Sequence, residues 1–308
     1  MIYLHHYDAS LFSEKVRVML GFLALDWHSV QISSVMPRPL LMPLSGGYRR
    51  TPVLQIGANV YCDTAIIARG LARHAADNRL FAAGFAGNRV AEWADSQLFR
   101  VAVALNFRPE ALAAMMGSLS PTEIAAFQKD RAELSEGATL TTYGAPAAFA
   151  FLRAYLDDLE ATLGTTQTPF LFGEYPTIAD FAVYHCLWFL RNNPVNQALV
   201  SDHPAVKDWY ERMAAWGHGN VEIATGEDAL AAARGAEPVV PALVGVPPAG
   251  VAIGQAVRVT PVDYGRIPVT GTLVAANSEE LAIARETPET GPCITHFPSA
   301  GFEVVPLD

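Results

Sequence analysis

Residues 51–64, TPVLQIGANVYCDT, decide the fold of this chain. Two short apolar runs, 52–56 and 60–62, are separated by the turn residues 57–59, and this pattern predicts a β-hairpin. Pro52 heads the first strand, where it cannot donate a hydrogen bond to a sheet. If its peptide bond is cis, the chain turns sharply there, and the N–H and C=O of Val53 are available to a ligand. A proline that merely begins a strand is the simpler interpretation of this feature alone.

The helix that begins at Asp63-Thr64 is predicted to have Asp63 as its N-cap, and its N-terminal end can also bind a ligand. Asp is a preferred N-cap residue, and the free N–H groups of a helix start attract a carboxylate, with the Thr64 hydroxyl as a further donor. The Asp63 carboxylate can meanwhile pair with an ammonium group. A ligand with both groups on one carbon atom is an α-amino acid.

The sequence before this stretch predicts an α/β unit. Residues 2–7 are typical of a strand, and a helix is predicted from Ser10 to Leu25 by apolar residues at helical spacing. A second strand is predicted for residues 27–32. The order is βαβ followed by ββα, with the last helix reaching about Ala75.

Three stretches carry a resemblance to a known family. They are SLFSEKVR at 10–17, TPVL at 51–54 and DTAIIA at 63–68. In this order they resemble the N-terminal, thioredoxin-like domain of the cytosolic glutathione transferases. The resemblance implies that Val53 binds the cysteinyl backbone of glutathione and that Asp63 and Thr64 bind its γ-glutamyl end. It also implies that Arg50, with Arg49, adds charge for the glycyl carboxylate; solvated loop arginines are the alternative.

The resemblance implies that a hydroxyl group near the first helix activates the glutathione thiol. Ser10 aligns with the family's catalytic serine and is the predicted catalytic residue, while Ser13 and Tyr7 remain alternatives because Leu11 replaces the proline that follows the family's serine. No cysteine lies in this segment, which disfavours a thiol-disulfide oxidoreductase.

The second part of the chain is predicted to be helical. Residues 169–180, PFLFGEYPTIAD, resemble the family's structural signature before its buried helix. Thr177 and Asp180 have the spacing of a capping box, which predicts a structural role. Trp93, Phe99 and Phe107 lie on the first long helix and either line the second-substrate pocket or belong to the core.

The last 60 residues predict a small β domain. Short alternating runs lie at 256–260, 269–275, 281–285 and 302–305, separated by turn residues. His296-Phe297-Pro298 is interpreted as a packed loop or a binding spot. The predicted fold class is therefore an α/β thioredoxin-like domain (1–78), an all-α helical bundle domain (86–234) and a small all-β, barrel-like C-terminal domain (250–308) of unknown role.

Composition narrows the range of functions. The net charge of −10 disfavours a nucleic-acid partner. No apolar run reaches the roughly 18 residues of a membrane-spanning helix, so no membrane partner is expected. The N-terminus does not resemble a secretory signal, and Cys62, Cys186 and Cys293 are odd in number and far apart, which predicts a reducing, cytoplasmic location and no metal site.

The leading functional hypothesis is a glutathione transferase that uses glutathione as co-substrate and adds its thiolate to a small electrophilic substrate. The resemblance also implies a homodimer. The alternative hypothesis is a non-catalytic glutathione-binding or scaffold protein that keeps this fold and acts through its C-terminal β domain.

Overall fold

The computed structural model describes residues 1–140, 142–243 and 245–307. Its first part has the predicted βαβ-ββα order. The elements are β1 (Ile2–His6), α1 (Leu11–Phe22), β2 (Asp26–Gln31), α2 (Met42–Ser45), β3 (Val53–Ile56), β4 (Asn59–Cys62) and α3 (Thr64–Ala75). Strand β1 lies between a parallel β2 and an antiparallel β3, and β3 forms the predicted hairpin with β4. The predicted thioredoxin-like fold is confirmed.

A helical domain follows, after a short 3₁₀ turn. The helices are α4 (Gly84–Trp93), α5 (Phe99–Asn106), α6 (Pro109–Met116), α7 (Pro121–Leu134), α8 (Ala145–Thr165), α9 (Ile178–Arg191), α10 (Gln197–Ser201) and α11 (Pro204–Ala214). A single π-helical segment, Ala94–Leu98, joins α4 to α5, so the predicted long helix is continuous but locally wider. Helix α9 is buried along almost its whole length, as its apolar sequence predicts.

The start of α9 is fixed by the predicted capping box. The Asp180 carboxylate accepts hydrogen bonds from the Thr177 N–H at 2.8 Å, the Leu171 N–H at 2.9 Å and the Trp209 indole N–H at 3.0 Å. Asp180 is fully buried, and burial raises the pKa of its carboxyl group. These contacts give Asp180 a structural role in holding α11 and the preceding loop against α9.

The C-terminal part adds strands to both edges of the first sheet. Its elements are β5 (Asn220–Ala224), α12 (Gly226–Arg234), β6 (Ala256–Pro261), β7 (Val269–Ala276), β8 (Glu280–Thr287), β9 (Gly291–Pro298) and β10 (Phe302–Pro306). The result is one 10-stranded sheet in the order β10-β6-β7-β8-β9-β4-β3-β1-β2-β5. Both edge additions, β9 on β4 and β5 on β2, are parallel pairs.

Two strands correct the predicted pattern. Strand β5 lies within residues 86–234, which were predicted to be wholly helical. The prediction of a loop at His296-Phe297-Pro298 is wrong, because these residues end β9. One sheet contains strands from both the first predicted domain (1–78) and the last (250–308). The predicted domain boundaries therefore stay a prediction.

The five C-terminal strands form a curled, barrel-like sheet. Strand β10 pairs with β6 at the far end of the sheet, yet its Phe302 ring lies 5.4 Å from the Phe297 ring of β9. Both rings also contact Tyr48, which comes from the loop before β3. The C-terminal strands therefore share a core with one face of the thioredoxin-like sheet.

A buried polar cluster joins β9 to β4 and α3. Nδ1 of His296 donates to the Glu280 carboxylate at 2.6 Å, Nε2 accepts from the Asn59 side-chain amide at 2.8 Å, and the ring stacks on Tyr61 with 4.3 Å between ring centroids. Arg73 of α3 pairs with the same Glu280 carboxylate at 2.5 Å. Because Glu280 and His296 are almost fully buried, each needs its partner, and the cluster supports the register in which β9 pairs with β4.

Candidate functional site

The strand register brings three distant segments to one end of the sheet. His5 at the end of β1 lies opposite Val53 at the start of β3, and Val53 lies opposite Cys62 at the end of β4. The segments that lead to Ser10, Pro52 and Asp63 therefore leave the sheet at the same end. The Thr51–Pro52 peptide bond is cis, as the candidate site requires.

Val53 itself is enclosed by the sheet. Its side chain is fully buried, and its main chain lies in register with both neighbouring strands. Thr51, on the other side of the cis bond, precedes the strand and is partly exposed; its hydroxyl accepts a hydrogen bond from Arg38 at 2.9 Å. Thr51 is thus more exposed than Val53, whose role as a ligand-binding residue stays a prediction.

The start of α3 has the predicted N-cap. The Asp63 carboxylate accepts a hydrogen bond from the Ala65 N–H at 3.0 Å. Asp63 has a φ of 102°, a region that non-glycine residues rarely adopt and that is often associated with functional sites. Burial raises the pKa of the Asp63 carboxyl group, against the opposing effect of the nearby Arg50 guanidinium.

A buried lysine contacts the predicted ligand residue Thr64. The Lys15 ammonium donates to the Thr64 hydroxyl at 3.4 Å and pairs with Asp95 at 2.6 Å, and Lys15 is fully buried. Asp95 lies in the π-helical segment and also contacts the buried His185 ring at 2.9 Å. Burial lowers the pKa of His185, while Lys15 and His185 together lower that of Asp95 against its burial.

Sequence analysis missed this Lys15–Asp95–His185 cluster, because its members come from α1, the π-helical segment and α9. A charged residue within the apolar stripe of the first long helix is the signal that could have found Asp95. The cluster places the Lys15 ammonium, which is paired with Asp95, beside the Thr64 hydroxyl at the start of α3.

The two neighbouring arginines have different partners. Arg49 pairs with Asp130 of α7 at 2.7 Å, which fixes the loop to the helical domain. Arg50 lies 3.8 Å from the Asp63 carboxylate and donates to the Asp263 carboxylate and the Tyr264 carbonyl. Arg50 is therefore at the candidate site, whereas Arg49 is tied to the helical domain.

Three hydroxyl-bearing residues surround the start of α1. Ser10 is its N-cap and accepts a hydrogen bond from the Ser13 N–H at 3.2 Å. This contact uses a lone pair of the Ser10 oxygen and leaves its O–H free to donate. The Ser13 hydroxyl is fully buried without a hydrogen-bond partner among the described residues, and Tyr7 is partly buried. Ser10 is thus suited to the predicted role, and the choice between the three residues stays a prediction.

The aromatic residues of the first long helix all pack against the main core. Phe99 lies 4.9 Å from Phe12 of α1 between ring centroids, at the contact between the two domains. Trp93 contacts Tyr155 of α8, and Phe107 stacks on Phe127 of α7. Of the three, Phe99 lies nearest α1. Across residues 1–140, 142–243 and 245–307, no helix is long and apolar enough to cross a membrane, and no group of three or more metal-ligating side chains is found.

The fold and the site together define a class. A thioredoxin-like domain with a cis-proline and a capped helix start at one sheet end, followed by an all-helical domain, is the architecture of two-domain thioredoxin-fold transferases.

Comparisons with known proteins agree. Family models described as "Glutathione S-transferase, N-terminal domain" and "Glutathione S-transferase, C-terminal domain" match residues 4–79 and 143–212. A solved structure of a GST-like protein from Pseudomonas syringae is 38% identical, with a TM-score of 0.82 and 99% of each chain covered. A glutathione S-transferase from Rhodospirillum rubrum F11 is 18% identical with a TM-score of 0.50, covering 70% of this chain and 88% of that chain, which supports the fold alone. The search of curated proteins finds no match.

The chain belongs to the glutathione S-transferase family. The relative from P. syringae covers the C-terminal strands as well, so the extra β region is part of a shared architecture.

Proposed function

We propose that this protein binds glutathione at the common end of β1, β3 and β4 and adds its thiolate to a small electrophilic substrate. The observation that carries the proposal is the position of Ser10, the cis-proline and the Asp63-Thr64 helix start at one sheet end. This arrangement offers a hydroxyl donor to the thiol, main-chain groups to the cysteinyl residue, and an anion site beside a carboxylate to the γ-glutamyl residue.

Activation of the thiol requires only a modest change in its pKa. A free thiol with a pKa of about 8.5 is a few per cent ionised at neutral pH. Lowering that pKa by about two units makes it mostly thiolate and requires about 2.7 kcal/mol of differential stabilisation. The Ser10 hydroxyl and the positive end of α1 act on the same atom, and together they are of the right magnitude.

Titration calorimetry with glutathione, combined with ultraviolet detection of the bound thiolate, tests the proposal. Ser10→Ala should keep glutathione binding and lose the thiolate band. Tyr7→Phe and Ser13→Ala are matched controls, since each removes one hydroxyl from the same helix start and should keep the band. A band lost in Tyr7→Phe and kept in Ser10→Ala would move the catalytic role to Tyr7.

The same measurement separates the two functional hypotheses. A wild-type protein that fails to bind millimolar glutathione is not a glutathione transferase. Binding without a thiolate band favours the alternative, a non-catalytic glutathione-binding or scaffold protein that acts through its C-terminal β region.

The proposal includes a homodimer, which the resemblance implies, and a cytoplasmic location, which the cysteine pattern predicts. Light scattering during gel filtration would give the mass in solution, to be compared with 33.2 kDa for one chain. The second substrate is placed between the two domains near Phe12 and Phe99, whose rings are 4.9 Å apart. Which electrophile binds there is a question for activity assays across reactive substrates.

A further inference from the structure

The loop between β6 and β7 reaches the candidate site from the C-terminal β region. Its residue Asp263 pairs with the Arg50 guanidinium, which also lies 4.0 Å from the centroid of the Tyr264 ring. Arg50 is at the same time 3.8 Å from Asp63, the predicted partner of the ligand ammonium. The loop therefore brings a second carboxylate to a place where the family resemblance predicts only one.

Two main-chain hydrogen bonds with the segment at the end of α7 hold the loop in this position. The Thr139 N–H donates to the Asp263 carbonyl at 2.9 Å, and the Gly265 N–H donates to the Leu134 carbonyl at 2.8 Å. Gly265 has a positive φ of 56°, and a Cβ atom there would lie 3.0 Å from Leu134 and 3.5 Å from Arg50. The positive φ favours glycine at this position, and the two main-chain hydrogen bonds fix the loop beside Arg50.

The charges of Arg50, Asp63 and Asp263 favour the binding of a cation. Arg50 neutralises one of the two carboxylates, so the group of three carries a net charge of about −1. The Asp63 and Asp263 side chains are 25% and 35% exposed, so both can be reached from solvent. Tyr48, two residues before Arg50, is buried; burial raises the pKa of its hydroxyl group, which has no hydrogen-bond partner among the described residues.

We propose that Asp263 belongs to the glutathione site and that its carboxylate, together with that of Asp63, binds the α-ammonium group of the γ-glutamyl residue. This inference rests on the proposed function. The ligand carboxylate then lies at the start of α3 near Thr64 and Lys15, and the two charged groups of the amino acid have separate partners. The C-terminal β region thus supplies a ligand-binding residue to the N-terminal domain.

Calorimetry with two ligands tests this assignment. The ligands are glutathione and its analogue in which a glutaryl group replaces the γ-glutamyl group, so that only the ammonium is missing. Asp263→Asn should weaken glutathione binding roughly tenfold, the effect of one charge-assisted hydrogen bond, and should leave binding of the analogue unchanged. Asp263→Glu keeps the charge and should still discriminate between the ligands. Glu303→Gln, an exposed acid on β10, is the matched control and should change neither affinity.

The outcomes are distinguishable. If wild-type protein binds glutathione and Asp263→Asn binds it equally well or more tightly, the inference is wrong; tighter binding would mean that the loop competes with the ligand. Equal weakening of both ligands in Asp263→Asn would also overturn it, because the ammonium is then not involved. Failure of the wild-type protein to bind glutathione overturns the proposed function and this inference with it.

Discussion

The two halves of the candidate site are built in different ways. The thiol half, around Tyr7, Ser10 and Ser13, lies within seven consecutive residues that comprise the β1–α1 connection and the start of α1. The ammonium half joins Arg50, Asp63 and Asp263, and the Arg50–Asp263 contact spans 213 residues of the chain. One half is a local cap, and the other depends on the assembly of the whole sheet.

Their supporting contacts differ as well. Behind the thiol half, His5 and His6 are almost fully buried, and this burial favours their uncharged forms. Arg17 lies 3.0 Å from Nδ1 of His6, so that nitrogen must accept, and Nε2 donates to Ser29 at 2.8 Å. The ammonium half consists of charged groups in contact with one another. Acid should therefore act mainly on the thiol half, where it protonates the buried histidines. Removal of a single charge should act mainly on the ammonium half.

The largest expected effect is acid destabilisation through the two histidines. Burial lowers the pKa of His5 and of His6 from 6.5 to about 4, with Arg17 adding to the effect on His6. Between pH 6.5 and 4, these two histidines bind protons in the unfolded chain but not in the folded chain. The stability that depends on their neutral form is therefore complete above pH 6.5 and is lost as the pH falls toward 4. The free energy of unfolding in urea should fall by roughly 3 kcal/mol per histidine across this range.

His5→Gln isolates one of the two contributions. The amide can still contact Gln55, the 3.2 Å partner of the His5 ring, and the fall in the free energy of unfolding between pH 6.5 and 4 should be smaller than in the wild type by roughly 3 kcal/mol. A wild-type unfolding free energy that stays constant from pH 7 to pH 5 would contradict this account of the thiol half.

Lys15→Met tests the contact that links the two halves. Lys15 of α1 touches Thr64 of α3, and the substitution leaves Asp95 without its closest cationic partner. Breaking a buried pair in this way should destabilise the protein by roughly 3 kcal/mol. Urea unfolding at pH 7 gives the value.

Lys129→Met is the matched control for that variant. Lys129 pairs with Glu133 at 3.9 Å on the surface of α7, and both side chains are largely exposed. The loss should be below about 0.5 kcal/mol. Equal effects of the two substitutions would show that Lys15 contributes no more than a surface charge.

Controls aside, the smallest expected effect is that of Ser10→Ala on stability. Loss of its hydrogen bond to the Ser13 N–H should cost about 1 kcal/mol. Ser120→Ala removes the equivalent N-cap of α7, where Ser120 accepts from the Glu123 N–H at 3.3 Å, and should cost a similar amount. Thermal unfolding of both variants measures this, and a much larger loss for Ser10→Ala would mean that the thiol half is more than a local cap.

The sequence predicted the features that depend on nearby residues. The hairpin, the starts of α1 and α3 and the Thr177–Asp180 capping box all follow from side chains a few positions apart. Strand β9 was missed because Gly291, Pro292 and Pro298 disrupt its pattern, and its partner β4 lies more than 200 residues earlier. Asp263 and Tyr264 have no local signal at all, since a turn between two strands is their ordinary interpretation.

The parallel pairing of β9 with β4, and of β5 with β2, has a consequence for synthesis on the ribosome. The four strands of the N-terminal sheet are complete once residue 62 has been made, but both outer strands lack a neighbour until residues 220–224 and 291–298 follow. At about 5–20 residues per second, the edge of β4 stays open for on the order of ten seconds or more. An unpaired edge can bind strands of other nascent chains. The risk of aggregation during translation should therefore rise with the time needed to make the C-terminal strands. Chains that stop before β9 should be the most prone to aggregate.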